Sequence, residues 1–116
     1  MRSIVLSMAA AGAVAALVAG CKPLPPSKPS AEWTAQERRG SAVFAAKCAR
    51  CHSANTTHSL HGPGLQALTK IKSMPSGAPP TDERLTAVIA RGRLEMPPTP
   101  LNESDLADLL AFLHTL

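Results

Sequence analysis

The chain has 116 residues, of which 12 are Lys or Arg and 8 are Asp or Glu, so its formal net charge is +4. This excess is too small to indicate a nucleic-acid surface, and the single tryptophan, two phenylalanines and absence of tyrosine leave few rings to stack on bases. We therefore expect no nucleic-acid partner. The length fits one domain, and the shortage of aromatic side chains leaves little bulk for its core.

Residues 1–20 predict an export signal that is removed from the mature chain. Arg2 gives a positive start, and an apolar run rich in Ala and Val follows it. The run is shorter than the ~20 residues that a membrane-spanning helix requires. Val18-Ala19-Gly20-Cys21 resembles a bacterial lipoprotein signal box, which implies cleavage before Cys21 and a lipid on its thiol. A plain secretory signal and a single membrane span are the alternatives.

Residues 21–33 form the lipidated cysteine and a proline-rich linker, ahead of a folded domain at residues 34–116. Four prolines lie between Lys22 and Ser30, and proline favours extended backbone at its own and the preceding position. At about 3 Å per residue, the segment from Lys22 to Ser30 could hold the domain roughly 25 Å from a membrane. Export predicts a periplasmic location. The residue after Cys21 is Lys22 and not an aspartate, a pattern that resembles lipoproteins sent to the outer membrane.

The first helix is predicted to begin after Thr34 and to run to about Lys47. Thr34 and Glu37 have the capping-box spacing. Gly40 and Phe44 share one face of this helix with the two cysteines that follow it. A glycine inside a helix costs roughly 1 kcal/mol, so Gly40 predicts that another backbone crosses there.

The rest of the domain predicts further helices and no strands. Residues 53–80 are rich in breakers, although residues 65–71 could form a short helix. A clearer helix should begin at Thr81, with Gly92 just past its end. Asn102 should cap the last helix, whose apolar residues recur at the helical period. These residues are Leu106, Leu109, Leu110 and Leu113, flanked by Phe112.

Cys48-Ala49-Arg50-Cys51-His52 is the most informative stretch of the chain. Cys-x-x-Cys-His is the spacing at which two thiols bind one haem covalently and the adjacent histidine binds its iron. A disulfide, a thioredoxin-like pair and a zinc site are the alternatives. No strand precedes the motif, as a thioredoxin-like pair would need, and a zinc site would require His58 or His61 as its fourth ligand. The motif therefore predicts one covalent haem c, with zinc the main alternative.

A haem iron bound by His52 has a second axial position, for which methionine is a natural ligand. Two of the four methionines lie in the predicted signal, which leaves Met74 and Met96. Both precede proline, and the two prolines after Met96 stiffen its loop and reduce the entropy lost on holding its sulfur. His58 and His61 could compete for the same position.

These motifs together resemble the class I c-type cytochromes over residues 34–116. Gly40-x-x-x-Phe44-x-x-x-Cys48-x-x-Cys51-His52 is similar to the first helix and attachment site of that family, and Gly62-Pro63-Gly64-Leu65 to its following loop. The resemblance implies a small all-α domain around one haem c. It also implies that Met96 is the second axial ligand, that Pro63 accepts the Nδ1 proton of His52, and that the first and last helices cross at Gly40. The family's usual aromatic partners of the haem propionates are missing, so those partners are left open.

The resemblance implies an electron-transfer protein and not an enzyme, because two axial ligands saturate the iron and no small-molecule substrate is expected. We predict a periplasmic, membrane-tethered carrier that shuttles single electrons between periplasmic or membrane redox proteins. The alternatives are an electron-transfer subunit of a periplasmic dehydrogenase or oxidase complex, and a haem-based redox or gas sensor in which Met96 leaves the iron. Four basic residues could steer partners: Lys47, Arg50, Arg91 and Arg93.

Overall fold

The computed structural model describes residues 20–116, so the predicted signal peptide, apart from Gly20, lies outside the described residues. Three α-helices form the domain: α1 (Ala35–Lys47), α2 (Asp82–Arg91) and α3 (Glu103–Leu113). A single 3-10 turn, Ser30–Glu32, precedes them, and the described part of the chain contains no strand beyond two isolated β-bridges. The predicted all-α class is confirmed. Within residues 20–116, none of the helices has the length and apolar character needed to cross a membrane.

Each helix begins at the predicted cap. The Thr34 hydroxyl accepts the Glu37 N–H at 3.1 Å, while the Glu37 carboxylate accepts the Thr34 N–H at 2.7 Å, which completes a capping box. The Thr81 hydroxyl accepts an N–H in the first turn of α2, and the Asn102 side chain accepts the Asp105 N–H at 2.8 Å. Local sequence therefore determines where all three helices start.

Helices α1 and α3 cross at Gly40, as predicted. A Cβ atom added to Gly40 would lie 1.9 Å from the backbone oxygen of Asp108 and 2.7 Å from the Cβ of Phe112. One turn further along α1, the rings of Phe44 and Phe112 lie 5.3 Å apart between centroids. This close crossing brings the end of α1, and the cysteines after it, to the core.

The core is small and lies mainly between α1 and α3. Trp33 extends it, because its ring packs edge-on against Phe112 with centroids 5.3 Å apart. Cys48, Leu65 and Leu68 are partly buried beside this cluster. The buried members are Phe44, Ile89, Leu109, Phe112, Leu113 and Leu116.

An ion pair at the helix crossing was not predicted from the sequence. Asp108 is only 5 % exposed, and its carboxylate accepts two hydrogen bonds from the Arg39 guanidinium, at 2.7 and 3.1 Å. The hydrogen bond from Arg39 is the main cause that lowers the pKa of Asp108. The only sequence signal was an acidic residue within the leucine-rich face of α3. Arg39 therefore stabilises a charge that the crossing removes from water.

The predicted short helix over residues 65–71 is wrong. The segment forms consecutive turns, with hydrogen bonds from the Leu68 N–H to the Leu65 carbonyl and from the Lys70 N–H to the Ala67 carbonyl. Ala67 is fully buried and has a φ of 57°, a left-handed conformation that a right-handed helix cannot contain. Tertiary contacts of this loop override its helical pattern.

The proline-rich segment lies against the helical domain from Pro25 onward. The Lys28 N–H donates to the Thr115 carbonyl at 2.6 Å, and the Trp33 indole N–H donates to the Lys28 carbonyl at 3.1 Å. The sequence predicted its extended backbone but gave no sign of these contacts. We refer to residues 25–33 as the strap.

Candidate cofactor site

The Cys48–His52 motif forms one additional turn after α1. The Cys48 N–H donates to the Phe44 carbonyl at 2.8 Å, and the N–H groups of Cys51 and His52 both donate to the Cys48 carbonyl at 3.0 Å. Both cysteines are half-buried free thiols. The turn therefore presents two thiols from neighbouring positions of the same short segment, as attachment to one planar group requires.

Burial raises the pKa of the Cys48 thiol, and the neighbouring Cys51 acts in the same direction. Loss of the proton would place a charge in a partly apolar site. The raised pKa applies to the polypeptide before haem attachment, because a thioether has no titratable proton. Cys48 thus resembles a half-buried, neutral thiol more than an activated thiolate.

His52 is oriented by the loop that follows it. Its Nδ1 lies 2.8 Å from the Pro63 carbonyl oxygen, the contact that the resemblance implied. A carbonyl only accepts, so Nδ1 carries the proton and Nε2 keeps its lone pair. A Cβ atom added to Gly62 would lie 2.5 Å from Cε1 of the His52 ring, so only glycine lets the loop approach so closely. Two thiols and one oriented imidazole fit a covalent haem.

Met96 lies in a tight loop directly after α2. The Arg93 N–H donates to the Met96 carbonyl at 3.0 Å, and the Met96 N–H donates to the Arg93 carbonyl at 2.9 Å. Gly92, with a φ of 73°, ends α2, and a Cβ atom there would lie 2.3 Å from the Met96 carbonyl oxygen. Met96 itself is half-buried. Hydrogen bonds therefore hold both the N–H and the carbonyl of Met96.

The other proposed ligands have different surroundings. Met74 is half-buried in a separate turn and lines an apolar groove that also contains Pro63 and Leu68. His58 and His61 are exposed. In the described part of the chain, no three His, Cys, Asp or Glu side chains form a group that could hold a metal ion, so the zinc alternative lacks the cluster it requires.

His114 lies on the surface at the C-terminal end of the last helix. It is exposed and follows α3, where its Nε2 lies 2.8 Å from the Asp82 carboxylate. The pair links the end of α3 to the start of α2. The His114 ring is therefore paired with Asp82 and not with a residue of the cysteine turn.

A small all-α domain with an oriented histidine after two thiols on one turn defines a covalent haem protein of the c type. The family model for Cytochrome c matches residues 37–116, well over half of the chain. The chain belongs to the cytochrome c family. No curated protein sequence matches it.

Family membership and the Cys-x-x-Cys-His spacing together confirm the predicted cofactor. The protein carries one covalent haem c, attached through Cys48 and Cys51. Its activity is haem-based electron transfer, and a cytochrome c domain is not by itself a catalyst. His52 precedes α2 in the chain and Met96 follows it, so the two residues belong to different loops of the domain.

Proposed function

We propose that this protein is a single-electron carrier of the periplasm, tethered to a membrane through Cys21, with His52 and Met96 as the axial ligands of its iron. The contact between His52 Nδ1 and the Pro63 carbonyl at 2.8 Å carries the proposal. It fixes the tautomer and leaves Nε2 as the coordinating atom. Haem supplies a one-electron couple between ferric and ferrous iron.

Met96 is favoured over Met74 as the second ligand by its loop. Mutual hydrogen bonds with Arg93 hold the Met96 backbone, and the two prolines that follow limit the conformations it would lose on binding. A thioether ligand favours ferrous iron more than a second imidazole does. The His52–Met96 pair therefore suits an electron carrier.

The roles of the three cysteines support the proposed lipid tether. Cys48 and Cys51 hold the haem, and Cys21 is exposed at the start of the described chain. It follows small residues that resemble a lipoprotein signal box. An acyl anchor of two or three chains would hold the domain firmly at a membrane.

Exposed basic residues support docking to acidic surfaces of redox partners. Arg91 and Arg93 flank the end of α2 beside the Met96 loop, and Lys47 and Arg50 flank Cys48; all four are at least partly exposed. Charges of one sign around a site increase the rate of encounter with partners of opposite sign. Partner association should therefore weaken as salt concentration rises.

The axial ligand is tested by Met96→Ala, with Met74→Ala as the matched control. Met96→Ala should lower the reduction potential and allow carbon monoxide to bind the reduced protein, because it opens the second axial position. Met74→Ala should do neither. The reverse pattern would assign the sulfur to Met74, and rapid carbon monoxide binding by the unmodified protein would favour a sensor.

The tether and the mode of action need two further measurements. The mass of the mature protein should equal residues 21–116 with haem and a lipid on Cys21. Solubilisation of the membranes should release the cytochrome alone. A larger redox enzyme that stays bound to it through purification would instead identify a subunit of a dehydrogenase or oxidase complex.

A further inference from the structure

The strap, residues 25–33, is fastened to the domain at both of its ends. Near its start, the Gln66 side-chain amide donates to the Pro25 carbonyl at 3.2 Å. Near its end, the Trp33 ring packs edge-on against Phe112. Between them, the Lys28 N–H donates to the Thr115 carbonyl at 2.6 Å. These contacts join the strap to the loop after His52 and to the C-terminal side of α3.

Lys28 is the centre of this attachment. Its ammonium group donates to both carboxylate oxygens of Glu37, at 2.9 and 3.0 Å, and its own carbonyl accepts the Trp33 indole N–H. The hydrogen bond from Lys28 is the main cause that lowers the pKa of Glu37. One residue thus connects the strap, the first turn of α1 and the segment after α3.

Docking of the strap shortens the free part of the tether. If the whole linker were free, residues 21–33 could reach about 43 Å at ~3.3 Å per residue. With residues 25–33 held against the domain, only residues 21–24 remain, which reach about 13 Å. The domain would then stay close to whatever surface holds Cys21.

The point at which the free segment leaves the domain is also defined. Leu24, which is 40 % exposed, lines one apolar groove together with Pro63, Leu65 and Met74. Pro63 is the residue whose carbonyl accepts the hydrogen bond from His52. The last free residue before the strap therefore lies on the histidine side of the haem site.

We infer that the strap orients the domain on the lipid surface, with the groove around Leu24 and Pro63 as the face nearest the bilayer. This inference rests on the proposed lipid at Cys21. The apolar groove and the exposed Leu24 suit a lipid surface about 13 Å or less from the anchor. Only the groove face is held near the bilayer, so partners in solution approach the rest of the domain.

The test compares Lys28→Glu with Lys22→Glu in the full-length, matured protein. Both variants change the charge equally. A carboxylate in place of the Lys28 ammonium would repel Glu37 and release the strap, whereas Lys22 is exposed in the free part of the tether. Each lipidated protein is reconstituted in phosphatidylcholine vesicles that contain a headgroup-labelled fluorescent lipid. Quenching of that label by the haem reports the distance between the domain and the bilayer.

We expect quenching to fall at least twofold in Lys28→Glu and to stay unchanged in Lys22→Glu. Hydrogen exchange of the amide at position 28 should accelerate only in Lys28→Glu, because this amide donates to the Thr115 carbonyl while the strap is docked. A flexible Gly-Ser insertion after Leu24 should also reduce quenching, yet leave that exchange slow.

Three results would overturn the inference in distinguishable ways. Equal quenching in Lys28→Glu and the unmodified protein, with accelerated exchange, would show that the strap does not set the distance. Fast exchange in the unmodified protein would show that the strap is not docked. A mass without lipid would overturn the proposed anchor itself, whatever the exchange data show.

Discussion

Replacing Gly40 with alanine should destabilise the protein, although helix propensity alone predicts the opposite. Alanine in place of glycine inside a helix is favourable by about 1 kcal/mol. At Gly40, however, the added Cβ would lie 1.9 Å from the Asp108 backbone oxygen and 2.6 Å from its carbonyl carbon. Backbone atoms cannot rotate away, so α3 must move. Such overpacking typically costs ~1–3 kcal/mol, and the rigidity of the contact favours the upper end.

The net expectation is a loss of about 2 kcal/mol in the free energy of unfolding, as the difference between these two effects. It is measured by denaturant unfolding of the ferric protein, followed by circular dichroism. Ala45→Gly, at an exposed position of α1, calibrates the propensity effect and should cost about 1 kcal/mol. A Gly40→Ala variant as stable as the unmodified protein, or more stable, would refute the close crossing of α1 and α3.

Two further predictions concern the buried carboxylate and the histidine loop. Asp108→Asn should reduce stability at neutral pH, because Arg39 lowers the pKa of Asp108. The stability that the ionised Asp108 contributes is present above the ordinary carboxyl pKa of about 3.9. It is lost as the pH falls through the lowered pKa. Unfolding measured from pH 7 to pH 3 should show this loss of stability shrink in acid. Glu95→Gln, at an exposed loop position outside the helices, should show no such loss. Gly62→Ala would place a Cβ 2.5 Å from the His52 ring, and should therefore disturb the ferric absorption spectrum and lower the yield of mature protein. An unaltered spectrum and yield would show that the loop does not hold the ring.

The features that were predictable from the sequence depend on local chemistry. Thr34, Thr81 and Asn102 start their helices because their side chains accept N–H groups a few residues ahead. Gly40 was predictable because a glycine has no other advantage inside a helix. The haem site was predictable because its spacing is a direct geometric requirement of the cofactor.

The features that were missed depend on residues far apart in the chain. Arg39 and Asp108 are 69 positions apart, and no periodicity reports such a pair. Lys28 looked like one charge in a proline-rich linker, and its hydrogen bond to Thr115 exists only once α3 is in place. Ala67 adopts a left-handed conformation that its side chain does not favour. In each case tertiary contacts determine the pairing or the backbone conformation.

The proposed ligation of the covalent haem by His52 and a methionine sulfur can be tested by one optical measurement. The protein is expressed in a host that matures c-type cytochromes, and its oxidised and reduced spectra are recorded, including the weak long-wavelength band of sulfur bound to ferric iron. We expect a c-type spectrum with that band, and loss of the band in Met96→Ala. A c-type spectrum without the band in the unmodified protein would contradict the proposed methionine ligand.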